Sequence, residues 1–420
     1  MSALARRRNK DYIGCFRRKP FIITLALMLG AVLYFGLPLL FKTSYQALPA
    51  AAVGAVPAAA APLPPPPVVH LATPKAQKVI YMTSCVAGTP SFRNDLVKLV
   101  EETELNSIMI DIKDFSGTLS FFPKGENLKP FISDRCRAPD MQEFIKTLHE
   151  KGIYVIGRIT VFQDPFLAKR RPELAVKKAS DGTTWKDHKG ISFTDPGSKE
   201  VWDHTIAIAK ESYDIGFDEL NFDYIRFPSD GPMNDIAFIW SGNRKKQDVL
   251  EDFFRYLHEK LHPLGIVTSA DIFGMTTTNV NDLNIGQVLE KVSPYFDYVA
   301  PMVYPSHYPP QFNGWADPNA HPYDVVKYSM DQAVRRFLAT TTVVVLNGVE
   351  PLASTTPPLY PKKPWNVEKL RPWLQDFDYG GNYDIAEVKA QITAVYDAGL
   401  TSWMLWAPSN RYTKGALLPE

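Results

Sequence analysis

Cysteine is scarce in this chain: three in 420 residues, at positions 15, 85 and 136. None stands in a CxxC pair or at a Cys/His spacing that would hold zinc. An excess of charge of either sign is also missing. Lys and Arg total 46 against 45 Asp and Glu, so the chain has no global field to gather DNA or RNA, and no nucleic-acid partner is expected. No GxGxxG follows the first strand-like run, which argues against a dinucleotide fold. HExxH, Asp/His clusters at ligand spacing and GxSxG are absent as well. Neither a metal centre, nor a cofactor, nor a serine-hydrolase elbow is therefore expected.

What is present begins with an uncharged run, FIITLALMLGAVLYFGLPLLF, over residues 21–41. Its 21 residues match the roughly 20 needed to cross a bilayer core. Arg6, Arg7, Arg8, Lys10, Arg17, Arg18 and Lys19 precede it, and only Lys42 follows closely. That asymmetry predicts a single-pass signal anchor in the cell membrane. Residues 1–20 form a cytoplasmic basic tail, and everything past residue 41 is extracytoplasmic. A cleaved signal peptide is the competing reading, but its apolar core is usually about 7–15 residues. Residues 42–77 are rich in Ala and Pro, including PLPPPP at 62–67, and read as a semi-rigid spacer. Cys85 and Cys136 lie beyond the anchor, in what would be an oxidising compartment. They either pair or stand as separate buried thiols.

From Lys78 the pattern becomes short β-branched runs separated by amphipathic stretches. Strands are predicted at 78–83, 107–113, 153–159, 218–223, 265–271, 297–303, 370–376 and 402–406. Helices are predicted at 91–104, 138–151, 198–214, 246–262, 284–292, 322–339 and 384–398. Eight strands alternating with helices predict the α/β class and a closed (β/α)8 TIM barrel over residues 78–420. Residues 341–349 (TTVVVLNGV) also look strand-like, but the Pro-rich stretch after them marks 341–366 as an insertion before the seventh strand.

Strand parity then selects side chains. In 107–113, Ile108, Ile110 and Ile112 share the face that packs on helices, which turns Asp111 and Lys113 inward. In the fourth strand Leu220 and Phe222 face out, and Glu219, Asn221 and Asp223 face in. Asp223, Asp271 and Asp376 stand at the ends of strands four, five and seven, where a barrel opens and where barrel enzymes place catalytic groups. A structural ion lattice of these acids with Lys113, Arg158 and Arg226 is the alternative. Tyr224, Tyr304, His307, Trp373, Trp406 and Asn410 lie at or after strand ends, where rings can stack on a ligand and amides can bind its hydroxyls.

The segment FDYIRFPSDG at 222–231 closely resembles the signature of a bacterial family of glycoside-hydrolase barrels, formerly called domain of unknown function 4015. Collinear matches are MIDIKDFSG (109–117), SADIFG (269–274), YVAPMVYPSHY (298–308), RPWLQDF (371–377) and MLWAPSNRY (404–412). The resemblance spans residues 78–415 and implies a carboxylate-based glycosidase. Distantly similar barrel glycosidases use an Asp at the end of strand four as nucleophile, which corresponds here to Asp223. Asp271 is the first choice for the general acid/base and Asp376 the second. Arg226 is expected either to keep Asp223 charged or to pair with Asp230. Acids on adjacent strands suit the roughly 5–5.5 Å separation of retaining enzymes, whereas an Asp223–Asp376 pair would favour inversion. The expected substrate is an envelope or extracellular polysaccharide. A catalytically silent barrel that binds glycan or scaffolds an envelope complex is the other reading.

Overall fold

The computed structural model describes residues 68–353 and 355–419. Among these, no helix is long and apolar enough to cross a membrane. The expected anchor at 21–41 and its basic tail lie outside the described residues, as does the linker up to residue 67.

Eight parallel strands close into a barrel. They are β1 (Lys78–Met82), β2 (Ser107–Lys113), β3 (Tyr154–Thr160), β4 (Glu219–Asp223), β5 (Val267–Phe273), β6 (Tyr298–Met302), β9 (Trp373–Gln375) and β10 (Trp403–Trp406). Each pairs with the next in this order, and β10 returns to β1 through Lys78↔Trp403. The expected insertion is indeed outside the barrel. Within it, β7 (Thr341–Thr342) and β8 (Tyr360–Pro361) make a separate antiparallel pair, so the seventh barrel strand is the one holding Trp373.

Three expected elements begin later than anticipated, two of them because of backbone handedness. Gly265 sits at φ 75° after a 3-10 turn, His262–Leu264, so β5 starts only at Val267. At its other end β5 runs on to Phe273, so Asp271 is two residues inside the strand end rather than at it. The helix expected over 284–292 shrinks to Leu289–Val292, because Asn284 (φ 58°) and Gly286 (φ 87°) adopt left-handed conformations that a right-handed helix excludes. The strand expected from 370 begins at Trp373 because Pro372 has no N–H to give the ladder.

Alternation along the strands separates two cores. Ile108, Ile110, Ile112, Leu220 and Phe222 join the large cluster between barrel and helices. Tyr81, Met109, Tyr154, Ile156, Ala300, Trp373 and Met404 fill the barrel interior. Low in the interior, Glu219 accepts from Arg371 Nη1 at 2.9 Å, and both are buried. Under the floor, the Asp218 carboxylate ties incoming chain to the sheet. It accepts from Leu71 N (2.6 Å) and Val155 N (2.8 Å), with His149 Nε2 2.9 Å away.

Candidate active site

Four strand ends build the site. β3 contributes Arg158, β4 Asp223, β5 Asp271 and β9 Trp373, all pointing inward by the same parity that the Ile face of β2 sets. Arg158 is the hub. Its Nη2 and Nε donate to Asp223 Oδ2 at 2.5 and 3.1 Å, and its Nη1 donates to Asp111 Oδ1 at 2.6 Å. The same Nε lies 3.9 Å from Asp271 Oδ2. With the two Asp oxygens 3.1 and 3.9 Å from one nitrogen, they can be at most about 7 Å apart.

The two carboxyls live in different surroundings. Asp223 receives the two guanidinium bonds at Oδ2, and Tyr224 N donates to its Oδ1 at 2.5 Å; three donors suit an ionised group. Tyr224 reaches that position in a left-handed conformation, φ 51°, so the turn after β4 is bent to aim its N–H at the carboxylate. Asp271 is 1% exposed. Its Oδ1 accepts from Asn221 Nδ2 (2.9 Å) and Trp373 Nε1 (2.8 Å). Burial first, and the nearby Asp223 charge second, push its carboxyl well above the ordinary range. Both effects favour the protonated carboxyl, and Oδ2 is the oxygen left free of those two donors.

A cavity of about 320 Å³ opens over this pair. Its walls include Arg158, Asp223, Tyr224, Arg226, Asp271, Tyr304, His307, Trp373 and Trp406. Nine expected site residues thus converge on one cavity. The aromatic ones are held by each other: Trp406 stacks on Tyr81 (3.9 Å between ring centres) and meets Trp373 edge-on at 5.5 Å. His307 packs edge-on against Tyr304 and Phe377, and burial lowers its imidazole pKa.

Other expectations need correction. Arg226 makes its contacts away from both acids proposed for it. It donates to Phe227 O and Ser229 Oγ, and its guanidinium lies over the rings of Tyr224 and Phe273. The cation on Asp223 is Arg158. Lys113 was expected to face inward, but a bulge between Asp111 and Lys113 shifts the register so that Lys113 pairs with Ile159 of the outer core, and it does not line the cavity. Its ammonium pairs at 2.5 Å with Asp164, both side chains being buried. Asp376 is turned to the outer face, since Trp373 and Gln375 take the inward positions of β9. Its carboxylate accepts from Thr413 N (3.0 Å) and Oγ1 (2.7 Å). Asn410 is an internal tie: Oδ1 accepts from Thr83 N and Oγ1, each at 2.9 Å, joining the chain after β10 to the end of β1. Asp111 borders the site through Arg158 and accepts from the Tyr81 hydroxyl. Burial raises its pKa to about 6.

The Lys113–Asp164 pair yields a stability prediction. Lys113→Met would leave Asp164 charged and buried alone, and should destabilise the barrel by about 3–5 kcal/mol. Urea denaturation should register it as a lowered midpoint with an unchanged slope. A midpoint equal to that of the unaltered protein would show the pair to be dispensable.

Sequence reasoning missed the loops that wall the cavity. The chain after β3 folds back on itself over residues 175–194, with cross-pairs Lys177↔Thr184 and Lys186↔Ser192. It carries its own small core, Val176, Trp185 and Phe193, packed against Met233, Ile236 and Phe238 from the loop after β4. Gly231, at φ 113°, lies so close to Trp185 that a β-carbon there would sit 2.6 Å from the indole. The SDG of FPSDG was the available signal, since this glycine lets the two loops meet. Phe115, in MIDIKDFSG, was also passed over, though it stands 60% exposed at the mouth.

Residues 79–412 match the family described as "putative glycosyl hydrolase domain", domain of unknown function 4015. The chain belongs to that family. By class it is therefore a glycosyl hydrolase, as the signature at 222–231 implied. Among solved structures, a hypothetical protein from Ruminiclostridium thermocellum is 34% identical over 46% of this chain and 96% of its own, with a TM-score of 0.42. The PgaB (BpsB) glycoside hydrolase domain from Bordetella bronchiseptica is 13% identical, covers 82% of this chain and 99% of its own, and has a TM-score of 0.56. The latter likeness is one of fold. No curated protein matches the chain.

Proposed function

We propose that this glycosyl hydrolase cleaves a polysaccharide by double displacement, with Asp223 as nucleophile and Asp271 as general acid/base. The observation that carries the reading is the unlike environment of two carboxyls around one arginine, at the mouth of one cavity. In the first step Asp271 Oδ2–H protonates the glycosidic oxygen as an Asp223 oxygen attacks the anomeric carbon, and the leaving sugar departs with that proton. In the second, the Asp271 carboxylate takes a proton from water, whose oxygen displaces Asp223. The upper bound of about 7 Å between the two oxygens includes the roughly 5–5.5 Å spacing that supports retention. Residues 21–41 would anchor the chain in the membrane with the barrel outside the cytoplasm, so the substrate would be an envelope or extracellular glycan.

The full chain, incubated with envelope and extracellular polysaccharides, should release new reducing ends. Proton NMR should show the product first formed with the anomeric configuration of the bond cut. Inverted product would replace the nucleophile with a base. The close Arg158–Asp223 pair favours a second reading, a silent glycan-binding barrel. Binding without any release of reducing ends would select it.

A further inference from the structure

The cavity over the acid pair is not isolated. A second space of about 430 Å³ adjoins it and shares Arg158, Tyr224, Arg226, Asp230 and Trp406 as walls. A third, of about 530 Å³, adjoins the second through Tyr81, Thr83 and Phe115. The three follow one another around the mouth, from the ends of β5 and β6 past β4 and β3 to those of β1 and β2. A site that removes single terminal sugars needs one closed pocket. Here the space continues well past the acids, in volumes each of which suffices for a small ligand.

The far space has the fittings of a sugar site. Phe115 presents an exposed ring where the second and third spaces meet. Asp114, Ser116, Thr118, Asp134 and Arg135 line the rest with donors and acceptors. Its wall is fixed covalently: Cys85, just after β1, and Cys136, in the long connection after β2, form a disulfide and both line it. At the opposite end, Tyr379 is 63% exposed, with its ring centre 6.0 Å from that of His307. Exposed aromatic faces therefore lie on both sides of the acid pair.

We infer that the mouth binds several consecutive sugars of one polymer chain and that the enzyme cuts internally, with the Phe115–disulfide space as a distal subsite. The inference rests on the hydrolase reading for the cut and on geometry alone for the binding. Sugars bound far from the reacting bond add affinity without chemistry, so chain length should act mainly through binding. The disulfide keeps two loops from parting and so limits the ordering that a long ligand would otherwise impose.

The test uses the full chain carrying Asp271→Asn and size-fractionated oligosaccharides, from disaccharide to octasaccharide, prepared from partly deacetylated chitin, amylose and peptidoglycan glycan strands. In titration calorimetry, affinity in at least one series should rise about tenfold or more between the short and long members. Adding Phe115→Ala should remove about fivefold or more of that gain while leaving the shortest binding member unchanged. Cys85→Ser with Cys136→Ser should do the same, and because Phe115 is exposed, its variant stands as the control for any loss of folding. With unaltered enzyme, mid-sized fragments should precede mono- and disaccharides. Length-independent affinity, binding of none of the three series, or a Phe115→Ala profile that matches its parent overturns the groove. Length-dependent binding with no cleavage of any series retains the groove and removes the hydrolase reading instead.

Discussion

Asp223→Asn is expected to lower kcat by about 10³-fold or more on every glycan that is cut. The amide has no ionised oxygen to form the glycosyl ester, so the loss falls on the chemical step and KM should change little. The fold should survive, because Arg158 keeps its 2.6 Å bond to Asp111. A second consequence is electrostatic. The Asp223 charge is the second cause of the raised Asp271 carboxyl, after burial. Removing it should lower the pKa of Asp271, and the residual activity should therefore fade at a lower pH than in the unaltered enzyme. Asp223→Ala with added azide separates nucleophile from bystander. Azide entering the vacated space attacks from that face and gives a glycosyl azide of inverted configuration. An Asp223→Asn variant with near-normal kcat would remove this residue from the reaction.

Asp271→Asn should lower kcat by about 10²–10⁴-fold on natural glycans. The loss should be far smaller on an aryl glycoside whose phenol leaves without protonation. That contrast is the mark of a proton donor, since a merely structural defect would depress both substrates alike. The pH profile supplies the sign. A carboxyl held above its ordinary range acts as acid only while protonated, so activity should fall as pH rises through its folded-state pKa. Asn at 271 should abolish that falling limb. Stability follows the same direction. Protonation of Asp271 favours the folded form at low pH, and this contribution is lost as pH rises through the raised pKa. A falling limb that persists in Asp271→Asn would assign the titration to another group, such as Asp111, whose pKa burial raises to about 6.

Much of this arrangement was legible as alternation. The three isoleucines of β2 fixed the inward direction of Asp111, and the same period brought Asp223 to the mouth, but a bulge after Asp111 took Lys113 out of that alternation. What period two cannot tell is which buried group meets which. Lys113 and Arg158 are both buried cations on neighbouring strands. One finds Asp164 beyond the end of its neighbouring strand, and the other gathers Asp111, Asp223 and Asp271. Asp376 shows a finer limit. Its strand is only three residues long, and one step past the end changes the side to which the carboxylate is delivered. The folded-back loop over 175–194 carries no strong period at all. Its form depends on Trp185 and Phe193 meeting residues of the next loop, contacts that exist only once the barrel has closed.

The tie made by Asp218 has a mechanical meaning. Chain from the N-terminal side reaches the barrel at the floor, where Leu71 N is held to Asp218 Oδ1 and the same carboxylate grips Val155 N on β3. A pull applied ahead of residue 68 therefore loads a short clamp beneath the strands, at the ends remote from Asp223 and Asp271. The Thr73–Tyr154 hydroxyl bond and the ties of Gln77 to Ser402 and Trp403 would share that load before it reached β1. The load would thus pass beneath the strands, and the mouth around Asp223 and Asp271 would keep its shape.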